Sequence, residues 1–498
     1  MDSSSKDSSQ SDSTADGFGI ELEIPALDTF AGFVADANAA RIRYLGRRLG
    51  DTFISPPSLP AQTTVAVARS PVVKRNSNYI IPKSPLHNLV PVHGDLGPEP
   101  ARDPKDAPYD QFLTTTIRTE ALGSYCQVIG TLIFGDPKDA QNRKKTRDFR
   151  LEFDLGSSDL WVYGQECEAR SGPQCPKGSA TSPAMFWLCN PERSSIIGPE
   201  VYTARYADGS FAVYRLWHDS VYLRPQWGPP PPHEPRKAWL DLKFGVAHEV
   251  SPLFELSPTS GIVGLGRRRH RNSQPPTFLN QIRRLLETPE MTILLADDRG
   301  YITFGRRPTF GSAVDAESGT WHNNLPLVGE DYWIVSSVTK KLGEKAYNYP
   351  SGTAEIDTGS AVCYMDDAFV KDFYSSIPGA TTTALGSATA IYHMIPSGST
   401  CTPRVEIDIG GHPFTLKHFY LPGSMKHQIG NERYYVGAIQ PKSILLAGSG
   451  GNYTGPDLIG RIALMNLQLV LQMPDVGPHT VSWRSKQTHF TGPARYNW

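Results

Sequence analysis

The chain has 498 residues, 20% of them charged and 39% hydrophobic, with a formal net charge of -1. That length exceeds what one hydrophobic core can hold and points to two or three domains of a globular protein. The near-neutral balance gives no electrostatic case for nucleic acid or anionic lipid as a partner. No apolar run reaches the roughly 18 residues of a membrane-crossing helix.

Residues 1–20 are polar and rich in Ser and Asp, and read as disordered. They carry neither the basic start nor the apolar stretch of a signal peptide. Residues 21–107 show no steady strand alternation; one short helical pattern covers 30–49. Lys74-Arg75 could be a processing site, but two basic residues alone favour an ordinary surface pair. From Thr114 the texture changes to short alternating runs between Gly, Pro, Asn and Asp turns. The runs are TLIFG (131–135), FRLEF (149–153), SVYL (220–223), YITFG (301–305), VEIDI (405–409) and LQLVLQM (467–473). Many short strands with frequent turns predict an all-β architecture. The helical stretches are few, TFLNQIRRLL (277–286) and DDAFVKDFYSSI (366–377) being the best.

Two insertions stand out. The proline-rich 225–239 reads as a stiff surface loop, and RRRHR (267–271) as a solvated one. The six cysteines include no CxxC pair, and no Cys/His cluster has zinc spacing. No metal or cofactor is therefore expected. Cys167, Cys175 and Cys189 lie close enough in one loop-like stretch for a disulfide among them, whereas Cys126, Cys363 and Cys401 are scattered and stand equally open to buried or free thiols.

The chain contains a repeat. EFDLGSSDLWVY (152–163) and AEIDTGSAVCYM (354–365) share an apolar residue, Asp, one residue, Gly, Ser and a strand-like run. Each is followed at similar distance by two branched apolar residues and Gly: Ile262-Val263-Gly264 and Leu458-Ile459-Gly460. One Asp-x-Gly-Ser is weak. Two, each with its own apolar-apolar-Gly trio, argue for two homologous lobes.

On these motifs the sequence resembles the pepsin-type (A1) aspartic peptidases, particularly the fungal ones, from about Gln111 to Val481. GTLIFGDP (130–137), YADGS (206–210), SGIVGLG (260–266), DYWIVSSV (331–338), CTPRVEIDIGGHPFTL (401–416), YYVGAIQP (434–441) and LIGRIALMNLQLVLQM (458–473) each resemble a segment of that family. The resemblance implies a two-lobed all-β fold with a central cleft. It divides the chain into a disordered, propeptide-like region (1–107), an N-terminal lobe (108–310) and a C-terminal lobe (311–498). Lys83 would then be the candidate partner of the carboxylates in a zymogen. The implied protein is a monomer acting on polypeptides, secreted or vacuolar, although no signal peptide is visible at the start of this sequence. The sequon at Asn452 matters only in that setting.

The implied catalytic pair is Asp154 and Asp357. Two facing carboxyl groups can share one proton, one activating a water and the other protonating the scissile carbonyl oxygen. Gly156 and Gly359 permit the tight turns. By resemblance Ser157 and Ser360 would hydrogen-bond the outer carboxylate oxygens. Tyr206 would sit at a flap tip over the cleft and take the indole N–H of Trp161. Asp208, Gly209 and Ser210 would meet the substrate backbone. Some positions depart from the family. Leu155 stands where Thr is usual, so only Thr358 remains to cross-bond the facing loops. Ala207 and Tyr214 stand where Gly is usual, Arg461 where an acidic residue is common, and Cys401 lacks its expected partner. These departures motivate an alternative: a weakened or inactive protein on the same fold that binds peptides or partners. A sugar-cleaving carboxylate pair fits less well, since no aromatic platform flanks the Asp motifs.

Overall fold

The computed structural model describes residues 115–121, 128–135, 147–169, 195–206, 210–223, 239–251, 254, 259–267, 275–295, 299–305, 319–336, 338–347, 352–384, 391–401, 403–420, 427–446, 455–474 and 477–485. The helical pattern at 30–49, Lys74-Arg75, Lys83, Cys126, Cys175, Cys189, the proline-rich 225–238 and the sequon at Asn452 lie outside the described residues, as does the side chain of Cys167.

The fold is the all-β, two-lobed arrangement that the resemblance implies. All six alternating runs are strands: Val128–Phe134, Arg147–Asp154, Phe211–Tyr222, Arg299–Phe304, Val405–Ile409 and Leu467–Gln472. Val405–Ile409 alternates buried and half-buried side chains, as expected of a strand with one face on the core. The helix Asp367–Ser375 buries Phe369, Val370, Phe373 and Tyr374, one face of an amphipathic helix. The other predicted helix is shorter than its pattern. It runs Phe278–Ile282, capped by Thr277, and tightens into a 3₁₀ turn at Arg283–Leu285 before Leu286 becomes extended.

The two halves of the chain are joined by six strands, in the order Thr115–Ala121, Arg299–Phe304, Glu290–Leu295, Leu467–Gln472, Thr480–Ser485 and His322–Val328. The central pairing, Glu290–Leu295 with Leu467–Gln472, links one strand from each half. Leu467–Gln472 is consequently buried over nearly its whole length, Gln468 included. Gln468 accepts a hydrogen bond from Arg484 Nε at 2.8 Å, directly across the strand pair, which satisfies both buried polar groups.

The sequence repeat is a repeat of topology. Arg147–Asp154 pairs in parallel with Gly261–Gly264, and Ala354–Ile356 with Asp457–Ile459. The strand after each Asp turn crosses back antiparallel to the same neighbour, matching Trp161 to Ile262 and Tyr364 to Leu458. It then pairs in parallel with one more strand, matching Trp161 to Gly245 and Tyr364 to Gln440. Such crossings explain the glycine ending each apolar-apolar-Gly trio. A Cβ on Gly264 would stand 2.4 Å from the Asp159 nitrogen, and one on Gly460 2.1 Å from the Val362 oxygen.

The second lobe also contains a ring of alternating charges, with Lys340 and Asp457 buried and Asp366 and Lys442 half-buried. Lys340 binds Asp366 (2.7 Å) and Asp457; Lys442 binds Asp366 (2.7 Å) and Asp457 (3.1 Å). Asp366 precedes the helix Asp367–Ser375 but does not cap it, because its carboxylate serves the two lysines. Burial opposes its charge, yet the hydrogen bonds and attraction of Lys340 and Lys442 hold its carboxyl below the usual range. Asp457 pairs with Ala354 at the root of the strand leading to Asp357. Removing one partner of a buried ion pair is expensive, because the other charge is stranded away from water. Lys340→Met should therefore lower the stability of the fold by about 3–5 kcal/mol in urea unfolding. Lys345→Ala, which breaks exposed contacts with Asp372 and the Tyr347 ring, should leave the urea midpoint nearly unchanged.

Candidate active site

Asp154 closes its strand with its backbone beside Gly264, and its carbonyl accepts the Leu265 N–H at 2.7 Å. Asp357 follows Ala354–Ile356, and its N–H donates to the Ile459 carbonyl at 3.1 Å. Both carboxyl groups are buried, at 0% and 2% exposure. Each turn folds onto its own Asp in the same way. The Gly156 N–H donates to Asp154 Oδ1 at 2.9 Å, and the Gly359 N–H to Asp357 Oδ1 at 2.9 Å. Ser360 Oγ adds a 2.6 Å bond to Asp357 Oδ2.

The two turns face each other closely. A Cβ on Gly156 would lie 2.4 Å from Asp357 Oδ1 and 2.9 Å from Oδ2, so only glycine lets the first turn approach the second carboxylate. Thr358 locks them together: its Oγ1 donates to the Phe153 carbonyl (2.8 Å) and accepts the Leu155 N–H (2.9 Å). Leu155 has no hydroxyl to return the contact, and its side chain is fully buried in the apolar core.

The two turns differ again at the Ser positions. Ser157 Oγ is buried and has no hydrogen-bond partner among the described residues, which corrects the expectation that it bonds a carboxylate oxygen. An O–H···O bond needs a partner within roughly 3 Å, and here none is in reach.

In the hairpin of Ser195–Arg205 and Phe211–Tyr222, the Tyr206 N–H donates to the Ser210 carbonyl at 2.8 Å and closes the turn. Trp161 Nε1–H donates to the Tyr206 hydroxyl. Tyr206 is only 1% exposed and packs with Trp161 and Phe254 in a second apolar cluster, while Ser210 is buried. Ala207, Asp208 and Gly209 lie outside the described residues. Tyr214 is no loose substitute for glycine; it stacks on Tyr202 (ring centroids 5.9 Å apart) and fills the space over Gly245.

Trp333 and Arg267, neither of them a candidate site residue from the motifs, also lie beside the Asp turns. Trp333 is fully buried, and its Nε1–H donates to the Leu265 carbonyl at 2.7 Å, next to the first Asp loop. Its own carbonyl accepts the Ile356 N–H at 3.0 Å, one residue before Asp357. Arg267 lies over the Trp333 ring at 5.4 Å and donates to the Tyr332 carbonyl (2.8 Å), the Gly329 carbonyl (3.3 Å) and His479 Nδ1 (3.1 Å). Burial pulls its guanidinium down to about 10, against the opposing pull of Asp331 and Glu330. The expectation of a solvated basic loop is thus corrected at Arg267, whose planar donors find fixed acceptors; residues 268–271 lie outside the described residues. The one available signal was the buried Trp itself, whose N–H needs a partner.

Among the described residues no group of three or more side chains could hold a metal ion, and no helix is long and apolar enough to cross a membrane. Cys363 and Cys401 are free thiols; burial pushes Cys363 up to about 12, and Cys401 Sγ contacts the Ser376 carbonyl at 3.2 Å. Arg461 is buried at the start of the short helix Arg461–Leu464.

Parts of this chain are similar to known proteins. Residues 239–443 match the family model described as eukaryotic aspartyl protease. An aspartic protease of Phaffia rhodozyma is 25% identical over 276 residues, 54% of this chain and 60% of the relative. Penicillopepsin-1 of Penicillium janthinellum is 24% identical over 286 residues, 55% of this chain and 75% of the relative. Pepsin II-2/3 of Oryctolagus cuniculus is 26% identical over 370 residues, 72% of this chain and 83% of the relative. The chain thus spans less than two thirds of the first relative's length and more of the other two.

The Thr358 contacts make a direct prediction. Thr358→Val keeps the shape but leaves the Leu155 N–H and Phe153 carbonyl buried without a partner, and should destabilise the fold by about 2–4 kcal/mol. Thr358→Ser should retain most of the stability in thermal unfolding. An unchanged midpoint in the Val variant would show that the cross-bond is not a structural tie.

Proposed function

We propose, from the similarity of this chain to the pepsin-type aspartic peptidases, fungal ones among them, that it is an aspartic endopeptidase whose catalytic pair is Asp154 and Asp357. The observation that carries this reading is the close facing of the two turns, with Gly156 against the Asp357 carboxylate. Paired carboxyls of this kind share one proton. The ionised member takes a proton from water, which attacks the scissile carbonyl carbon while the protonated member donates to its oxygen. The tetrahedral diol then collapses: the amine leaves with a proton, and the acid and base roles have been exchanged. Gly156, Gly359, Thr358 and Ser360 hold the carboxyls; Trp161 and Tyr206 hold the hairpin, and Asp208 and Gly209 are the proposed contacts for the polypeptide substrate, with the buried Ser210 closing the turn through its carbonyl. The proposed working range is acidic. We assign 1–107 to a propeptide-like region, and 108–310 and 311–498 to the two lobes.

A second reading has its own observation. Leu155 cannot return the cross-bond that Thr358 makes, and small misplacements of catalytic groups are costly to rate. On this reading the cleft binds a peptide or protein partner without cutting it.

A pH-resolved digest of an unfolded protein separates the two. The full chain should cleave at acidic pH and be inhibited by a statine-type transition-state analogue. Asp357→Asn should lose roughly three orders of magnitude in kcat. Leu155→Thr should gain about two- to tenfold, the worth of one hydrogen bond. No cleavage at any pH from acid to neutral, with the analogue still bound, would favour the binding protein.

A further inference from the structure

Thr358 is not the sole link between the two Asp turns. From the first, the Asp154 carbonyl accepts the Leu265 N–H at 2.7 Å. The Leu265 carbonyl accepts the Trp333 indole N–H at 2.7 Å. The Trp333 carbonyl accepts the Ile356 N–H at 3.0 Å, and Asp357 is the next residue. This chain of hydrogen bonds starts at the backbone of one carboxylate residue and ends at the neighbour of the other. It passes through a single side chain that is fully buried.

Trp333 can hold both turns only if its ring is fixed, and the structure fixes it from outside. Arg267, two residues beyond Leu265, lies over the indole at 5.4 Å. Its guanidinium is anchored to the Tyr332 and Gly329 carbonyls and to His479 Nδ1. The His479 ring also lies near the indole, with centroids 6.5 Å apart. Arg267 belongs to the segment of the first loop, Tyr332 and Trp333 to the segment leading to the second, and His479 to the stretch just before Thr480–Ser485. A planar donor fork with several fixed acceptors and an aromatic face loses little freedom per contact, and the partial desolvation of the site strengthens the cation–π contact.

We propose that Trp333, clamped by Arg267, is a positioning residue for the carboxylate pair, substituting for the hydroxyl-mediated cross-bond that Leu155 cannot make. The clasp acts on the relative placement of the two turns, so it governs the alignment of the carboxyls rather than the binding of substrate. Its effect on turnover rests on the catalytic reading of Asp154 and Asp357 above; the mechanical coupling of the two turns does not.

The test combines kinetics with hydrogen exchange on the full chain. Trp333→Phe removes the indole donor and keeps a ring; Arg267→Met removes the clamp and keeps the stem. Trp333→Phe should lower kcat about tenfold or more, with KM within about twofold of the wild type. The loss should shrink when Leu155→Thr is present, because the restored hydroxyl takes over part of the tie. Peptides covering 261–267 and 354–360 should exchange faster together, while Leu467–Gln472 stays protected. Arg267→Met should show a smaller effect of the same kind, and it carries the test if the Trp333 variant does not fold. Exchange that rises in one segment only or in neither, or an equal kcat loss with and without Leu155→Thr, overturns the clasp. A wild type with no turnover, but with joint exchange in the variants, overturns the peptidase reading and leaves the clasp standing.

Discussion

The architecture turns on one close approach: the backbone of the first Asp turn lies against the carboxylate of the second. At that distance a single methyl group at Gly156 would collide with Asp357. Two polar turns, one from each half of the chain, must therefore be held at fixed separation in a buried setting, where misplaced polar groups are expensive. Much of the molecule can be understood as meeting that demand.

The six joining strands supply the coarse constraint. Their central pairing brings together residues from the two halves, and its burial makes sliding costly, since backbone groups unpaired by a slip would be left without water. Parallel pairings such as Asp154 beside Gly264 then set the height of each turn. The fine constraint is polar. Thr358 ties turn to turn directly, and the Leu265–Trp333–Ile356 chain does so by a longer route. The charges of Lys340, Asp366, Lys442 and Asp457 fix the root of the second Asp strand.

The lobes are thus equivalent in path and unequal in side chains. The second turn has Thr358 and the Ser360–Asp357 bond; the first has Leu155, packed into the core, and Ser157, whose hydroxyl meets no carboxylate. Each missing hydrogen bond is worth about 0.5–1.5 kcal/mol. That is a small fraction of the stability of a chain this size, but it corresponds to roughly two- to tenfold in a rate that depends on alignment. On the proposed catalytic reading, Leu155 therefore bears on chemistry more than on folding.

The sequence by itself determined the architecture and the pair of Asp turns, because both are written locally. Alternation with period two makes strands, and a duplicated Asp-x-Gly-Ser with its apolar-apolar-Gly trio marks a duplicated lobe. The Trp161–Tyr206 contact was legible through the family resemblance: a buried indole N–H must find an acceptor, and the resemblance said which. Other features were decided only by tertiary structure. Nothing adjacent to Lys340 in sequence announces Asp457, and nothing near Arg267 announces His479; these partners meet because strands distant along the chain are brought side by side. The Ser157 hydroxyl was misread for the same reason, as matching motifs share a backbone path but not the neighbours that each side chain finds. Sequence specifies which groups need partners, and folding decides which partners are within reach.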